Sequence, residues 1–286
     1  MEWLELTVDV PSEFVEPVSR LFDRHGHGLV VQELPNFNAQ VTTYVPAVDR
    51  EGYMYIDVGI SLMRHIKSFP AMNVKKLYDD DWEKAWKSHF TLLRVASDLV
   101  IKPSWIEYAP SAKELVIEID PGMSFGTGHH PSTRACLELL NKLVHPGMRI
   151  MDIGCGSGIL TIAAVKLGAK KVFALDVDAI AIQVCKDNLM LNGGIGSVEL
   201  LEGSLPNEKI SSDSVDIVVA NISGAAIRDL STDVHRYLKE SGYLIASGML
   251  KSDCDQLEIY MNDVGFSTIC VREIDDWATL VLTKEA

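Results

Sequence analysis

From Arg149 onward the chain alternates short apolar runs with helix-length segments, and this alternation constrains the fold more than any other feature. Arg149–Ile153, Lys171–Leu175, Val198–Leu201, Val215–Ala220 and Tyr243–Ala246 read as strands. Ile159–Leu167, Ala179–Leu191 and Ser223–Leu238 read as the helices between them. Runs such as Val172-Phe173-Ala174-Leu175 are apolar on both faces, as a parallel sheet covered by helices on each side requires. The pattern predicts a doubly wound, Rossmann-like α/β domain.

The segment before it is organised differently. Trp3–Val10 has strand composition, and Pro11 opens a helix that carries Phe14, Val15, Val18, Leu21 and Phe22 on one face. Gly26 and Gly28 end that helix. Strands at 28–32 and 40–45 and a helix near 55–68 complete a small α+β domain of ferredoxin-like type over residues 1–75. Residues 76–92 contain YDDDWEKAWKSHF, acids first and bases later, which matches the helix macrodipole and predicts a linker helix. Residues 93–286 form the second domain, with strands at 99–101 and 115–119 leading into it.

Composition narrows the partners. A net charge of −14, from 40 acids against 26 Lys+Arg, lacks the basic surplus of a nucleic-acid binder. Such a surface attracts a basic protein, although acidic charge also serves solubility alone. Cys136, Cys155, Cys185, Cys254 and Cys270 are odd in number and show no metal or redox spacing, which points to a reducing compartment. The acidic start MEWLELTVDV is unlike a signal peptide, and no run of 18 apolar residues occurs. The expectation is a cytoplasmic protein without a membrane span, and a monomer.

The first strand of the alternating region feeds MDIGCGSGILTIAA, with Gly154, Gly156 and Gly158 following Asp152. Glycines here permit a tight turn and close backbone approach to a ligand, and the next helix offers unpaired N–H groups. A dinucleotide fingerprint needs glycine where Ile159 stands, and a Walker loop needs Gly-Lys-Ser/Thr, which is absent. A diphosphate is therefore disfavoured. An acid-ended strand followed by G-x-G-x-G is instead the pattern of S-adenosylmethionine (SAM) sites. Asp176, ending the second strand, is placed to accept both hydroxyls of a ribose, while Asp178 suits a helix cap. A simple packing turn is the competing reading of the glycines.

Asn221 ends the strand VDIVVAN, at the edge where open α/β sheets bind ligands. Enzymes that methylate exocyclic base amines carry Asn-Pro-Pro-aromatic at this place. Here Ile222 and Ser223 replace the prolines, and Gly224 replaces the aromatic that would stack on a flipped base. With the acidic charge, this argues against a nucleic-acid substrate. Asn221 retains a carbonyl able to accept an N–H and aim an amine lone pair, unless it is an ordinary strand-end turn residue.

The segments DWEKAWKSHF, IKPSW, DPGMSFGTGHHPST, MDIGCGSGILTIAAVKLGAKKV, LDVDAIAIQVCKDNLMLNG and VVANIS, in this order, resemble the PrmA family, the methyltransferases of large-subunit ribosomal protein L11. The similarity spans the chain and is strongest from 81 to 250. It implies an N-terminal substrate-recognition domain, a linker helix and a SAM-dependent domain. It also implies methylation of lysine side chains and the α-amino group of L11. By position, Thr133, Gly154, Asp176 and Asn221 match the family's SAM-contacting residues. His129 stands where the family commonly has threonine, and Ser223 where it has leucine.

In an enzyme of this kind the loop from Phe125 to Thr133 folds over the methionine end of the cofactor, with Phe125 excluding water. Metal binding by His129 and His130 is disfavoured, because adjacent side chains on extended backbone diverge. The candidate catalytic residues are Asn221, Phe125 and His130, and the candidate cofactor residues Thr133, Gly154, Gly156, Gly158, Asp176 and Asn221. The amine must arrive neutral. Desolvation can lower its pKa, with the proton passing to water or to His129 or His130. A methyltransferase for another protein or a small amine, and a non-catalytic SAM-binding module of the ribosome, remain the alternatives.

Overall fold

The computed structural model describes residues 2–34, 38–78, 91–119, 128 and 130–284. They fall into two compact units, one within the first 91 residues and one from Leu92 onward.

In the first unit, β1 (Glu2–Pro11), α1 (Ser12–His25), β2 (His27–Leu34), β3 (Asn38–Pro46), α2 (Arg50–Ile66) and β4 (Asn73–Tyr78) follow in order. One antiparallel sheet runs β2-β3-β1-β4. Leu6, Val8 and Val10 share one face of β1 and pack with Val15, Val18 and Phe22 of α1 and with Ile56 and Ile60 of α2. Burying each such side chain contributes roughly 1.5–3 kcal/mol. Helix α2 starts earlier than its apolar pattern suggests because Asp49 caps it, accepting the Gly52 N–H at 2.9 Å.

Strand β4 corrects the expected boundary at residue 75. Residues 76–78 are strand, held by β1 and by the ion pairs Lys75–Glu5 (3.8 Å) and Lys76–Glu2 (2.8 Å). The rest of the expected linker helix, from 79 to 90, lies outside the described residues.

The second unit opens with a small sheet of β5 (Leu93–Arg94), β6 (Leu99–Lys102) and β7 (Leu115–Glu118). Next come α3 (Pro131–Leu143), β8 (Arg149–Ile153), α4 (Ile159–Lys166), β9 (Lys171–Asp176), α5 (Ala179–Leu191) and β10 (Val198–Glu202). The chain continues through β11 (Val215–Asn221), α6 (Gly224–Tyr237), β12 (Leu238–Leu250), α7 (Lys251–Val264), β13 (Phe266–Ile274) and β14 (Trp277–Lys284). The main sheet has the order β10-β9-β8-β11-β12-β14-β13. Strands β8 to β12 are parallel, and β14 runs antiparallel to both of its neighbours.

Alternate residues feed two cores. Ile150, Val172, Ala174, Ile217, Val219 and Ile245 pack with α3, α4 and α5, whereas Met151, Phe173, Leu175, Val218 and Leu244 pack with α6 and α7. A sheet covered on both faces is what the continuous apolar runs required. Helix α4 is buried almost all round, because α3, α5, the sheet and β7 surround it. The side chain of Asn192 at the end of α5 ties the small sheet on, accepting the Glu118 N–H (2.9 Å) and donating to the Glu118 carbonyl (2.6 Å).

Candidate active site

The direction in which parallel strands are added reverses between β8 and β11, and this switch opens a crevice at their carboxyl ends. Ile153 ends β8 beside Leu175 and Ala220, while Asn221 pairs with Ser247. The glycine turn, Asp176 and Asn221 therefore share one sheet edge.

All three turn glycines take positive φ: 73° at Gly154, 51° at Gly156 and 81° at Gly158. At Gly158 a Cβ would also stand 2.5 Å from the Cys185 Sγ, so only glycine lets α5 approach. The buried Asn188 of α5 donates to the Ser157 carbonyl at 2.9 Å and pins the turn from the same side. Asp176 Oδ2 accepts the Gly156 N–H (2.9 Å) and Oδ1 the Asp178 N–H (3.0 Å). One carboxylate thus holds the glycine turn and the next loop, and remains partly exposed to meet a ligand hydroxyl. Asp178 caps α5 as its position suggested, accepting the Ile180 N–H at 2.8 Å.

Asp152 is 1% exposed, with Oδ2 accepting the Thr161 hydroxyl at 2.6 Å and Oδ1 unpartnered among the described residues. Burial raises its pKa to about 7, with Asp176 adding to the rise and the Thr161 hydrogen bond opposing it. Neither this state nor the lone Oδ1 was visible in sequence, where Asp152 was only the acid before the turn. The Cys185 thiol and burial push the Cys155 thiol far up, so the cysteine in the turn is no anionic nucleophile.

Across the crevice, Asn221 Nδ2 donates to Thr133 Oγ1 at 3.1 Å. The structure thereby joins two residues that the sequence offered separately as cofactor contacts. The bond uses one N–H of the amide and leaves its carbonyl oxygen, unpartnered among the described residues, to accept an incoming N–H. Thr133 lies in the first turn of α3, which starts at Pro131 and is capped by His130. His130 Nδ1 pairs with the Ser132 hydroxyl (2.7 Å) and accepts the Ser132 N–H (3.3 Å), and its ring meets Trp277 edge-on at 4.4 Å. Burial lowers its pKa to about 4, so it is neutral near pH 7. The geometry makes His130 a helix cap. Phe125 and His129 lie outside the described residues.

The donor set suits a cationic, hydroxyl-bearing ligand without phosphate: one partly exposed carboxylate at the sheet edge, one buried acid with an oxygen unpartnered among the described residues, an amide, and no lysine in the turn. The model of the ribosomal protein L11 methyltransferase (PrmA) family matches residues 2–285. The chain belongs to the PrmA family. A ribosomal protein L11 methyltransferase of Thermoanaerobacter pseudethanolicus is 34% identical and one of Herpetosiphon aurantiacus 33%, with 100% and 99% of both chains covered. The crystal structure of a ribosomal protein L11 methylase from Lactobacillus delbrueckii subsp. bulgaricus superposes with a TM-score of 0.64 at 28% identity. It covers 69% of this chain and 100% of that one. As a PrmA-family member the chain is a methyltransferase whose methyl donor is SAM, on a Rossmann-like fold. Among the described residues no helix is long and apolar enough to cross a membrane.

Proposed function

We propose that this chain methylates amine nitrogens of ribosomal protein L11, taking lysine side chains and the α-amino group as acceptors. One observation carries the reading: Asn221 stands at the sheet edge, held by Thr133, with its carbonyl end left for a substrate N–H. The relatives named above, each a ribosomal protein L11 methyltransferase, support the choice of protein.

Gly154, Gly156 and Gly158 would admit the cofactor's amino-acid end by backbone contact, and Asp176 would take its ribose hydroxyls. The lone Oδ1 of Asp152 fits an ammonium group, and Val177, 75% exposed beside Asp176, offers an apolar wall to a flat base. When bound, SAM supplies a methyl group on a cationic sulfonium, ready for in-line displacement by a neutral amine.

Neutrality is the chemical problem, since a lysine has a pKa of about 10.4 and an α-amine about 7.7–8. Desolvation of the amine on entering the crevice disfavours its ammonium form. Asn221 then accepts one N–H and fixes the lone pair's direction, so that positioning supplies most of the rate. His130, neutral with its pKa lowered to about 4, is too weak a base to hold the amine's proton, and the proton passes to water. Phe125 is the proposed water-excluding side chain of the loop.

The first unit, with its β-α-β-β-α-β order, is read as a ferredoxin-like module that recognises the protein substrate. The protein works as a monomer in the cytoplasm and contacts no nucleic acid directly.

The test is incubation with methyl-labelled SAM and purified L11, followed by peptide mass spectrometry. Label on L11 amines supports the proposal. Label confined to other components of an extract, or retention of SAM without transfer, overturns it.

A further inference from the structure

The register of β12 breaks beside the site. Ala246 faces Leu280 and Met249 faces Ala278, so Ser247 and Gly248 together oppose Thr279 of β14. Two residues against one define a β-bulge, a device that bends a strand and re-aims its neighbours.

This bulge contacts the residue after Asn221 and the residue before its partner Thr133. The Ser247 carbonyl accepts the N–H of Ile222, the residue after Asn221, at 3.1 Å. Gly248 has φ +90°, and a Cβ there would stand 2.5 Å from the Ile222 carbonyl oxygen and 2.9 Å from its nitrogen. The strand that ends in Asn221 is thus clamped against backbone, where no flexible side chain can yield. The Ser247 hydroxyl pairs with Thr279 Oγ1 at 2.7 Å and reaches the Ser132 carbonyl at 3.4 Å. Ser132 precedes Thr133, the partner of Asn221.

Ser132, Thr133, Ser247 and Thr279 are each no more than 2% exposed. Burying hydroxyls inside a sheet is unfavourable compared with burying valine or alanine unless their hydrogen bonds are made. Here they link β14 to β12 and β12 to the first turn of α3. Ile222 adds a further tie, because its side chain packs over Gly154 of the cofactor turn.

We propose that the Ser247–Gly248 bulge, locked by Thr279, is the positioning device that sets the angle of Asn221 and the height of Thr133 for methyl transfer. The proposal rests on the reading of Asn221 given above. Ser247, Gly248 and Thr279 act through Asn221 and Thr133, without touching substrate.

Four variants of the full chain test it: Thr279→Val, Thr279→Ser, Gly248→Ala and Asn221→Ala. We expect Thr279→Val, which keeps the shape and loses the hydroxyl, to lower kcat about tenfold. SAM affinity by calorimetry should stay within about threefold, and Thr279→Ser should restore kcat. In Gly248→Ala without cofactor, amide hydrogen exchange at Ile222 should speed at least tenfold while Leu175 in β9 is unchanged. If Gly248→Ala does not fold, the same exchange measurement on Thr279→Val replaces it. Wild-type kcat in Thr279→Val, or equal loss in Thr279→Val and Thr279→Ser, overturns the proposal while an inactive Asn221→Ala leaves the reading of Asn221 intact. Full activity in Asn221→Ala removes that reading itself and this proposal with it.

Discussion

The two sides of the crevice are built by different means. On the proposed cofactor side, a contiguous turn of positive-φ glycines is strapped by a carboxylate from the next strand and presents mostly backbone. On the proposed acceptor side, Asn221, Thr133, Ser247 and Thr279 come from β11, α3, β12 and β14 and are joined by the β11–β12 ladder, one bulge and side-chain hydrogen bonds. The first construction needs a local sequence and the second needs the finished sheet. A ligand common to many enzymes can be bound by a portable turn. The proposed acceptor amine must be aimed, and aiming draws on parts distant in sequence.

If the two sides are separable, damage to one should leave the other's task intact. The largest expected effect is from Asn221→Ala, which should lower kcat by 10² or more, on the order of 3 kcal/mol, with SAM affinity within threefold. Parallel loss of SAM binding, by calorimetry, would break the comparison. The mirror experiment is Gly158→Val. Its side chain would collide with Cys185 at a positive φ, and SAM should bind at least tenfold more weakly. At saturating SAM its kcat should approach the wild-type value; a kcat loss as deep as that of Asn221→Ala would mean that the turn also aims the acceptor.

Asp152→Asn sharpens the picture of the cofactor side through pH. The folded pKa, about 7, lies above the ordinary 3.8, so the folded state holds the proton more tightly. Between about pH 4 and 7 the unfolded chain ionises while the folded one resists, and wild-type stability falls across that window. Asparagine removes this contribution. In cofactor-free denaturant titrations the variant should gain on wild type by at least about 1 kcal/mol from pH 4 to pH 7, then run parallel. A constant difference across that range would show that Asp152 is not desolvated. The smallest effect belongs to Asp178→Ala, which removes a surface cap of α5 and should cost about 1 kcal/mol without touching kcat.

The same division explains what the sequence made legible. The glycine turn, the capping by Asp178 and the parallel strands are encoded within a few residues of one another, and each was readable. Strand β4 was not, because NVKKLY lacks apolar alternation and gains its place from its backbone ladder with β1 and the burial of Leu77. The expected strand Tyr243–Ala246 is a fragment of β12, whose bulge at Ser247-Gly248 is defined only by its register on β14. His130 reads in the sequence as a catalytic candidate. Its position before Pro131 was the available signal of a cap, and its burial against Trp277 depends on a strand far along the chain. The lone oxygen of Asp152 follows from helices closing over both sheet faces, which no local pattern reports.

Strand β14 is made after β13 yet lies between β13 and β12. During synthesis from the N-terminus, β12 therefore waits with an open hydrogen-bonding edge, and β13 has no place in the sheet until β14 emerges to bridge them. Because Thr279 belongs to β14, the proposed acceptor side is completed only after the glycine turn has been translated.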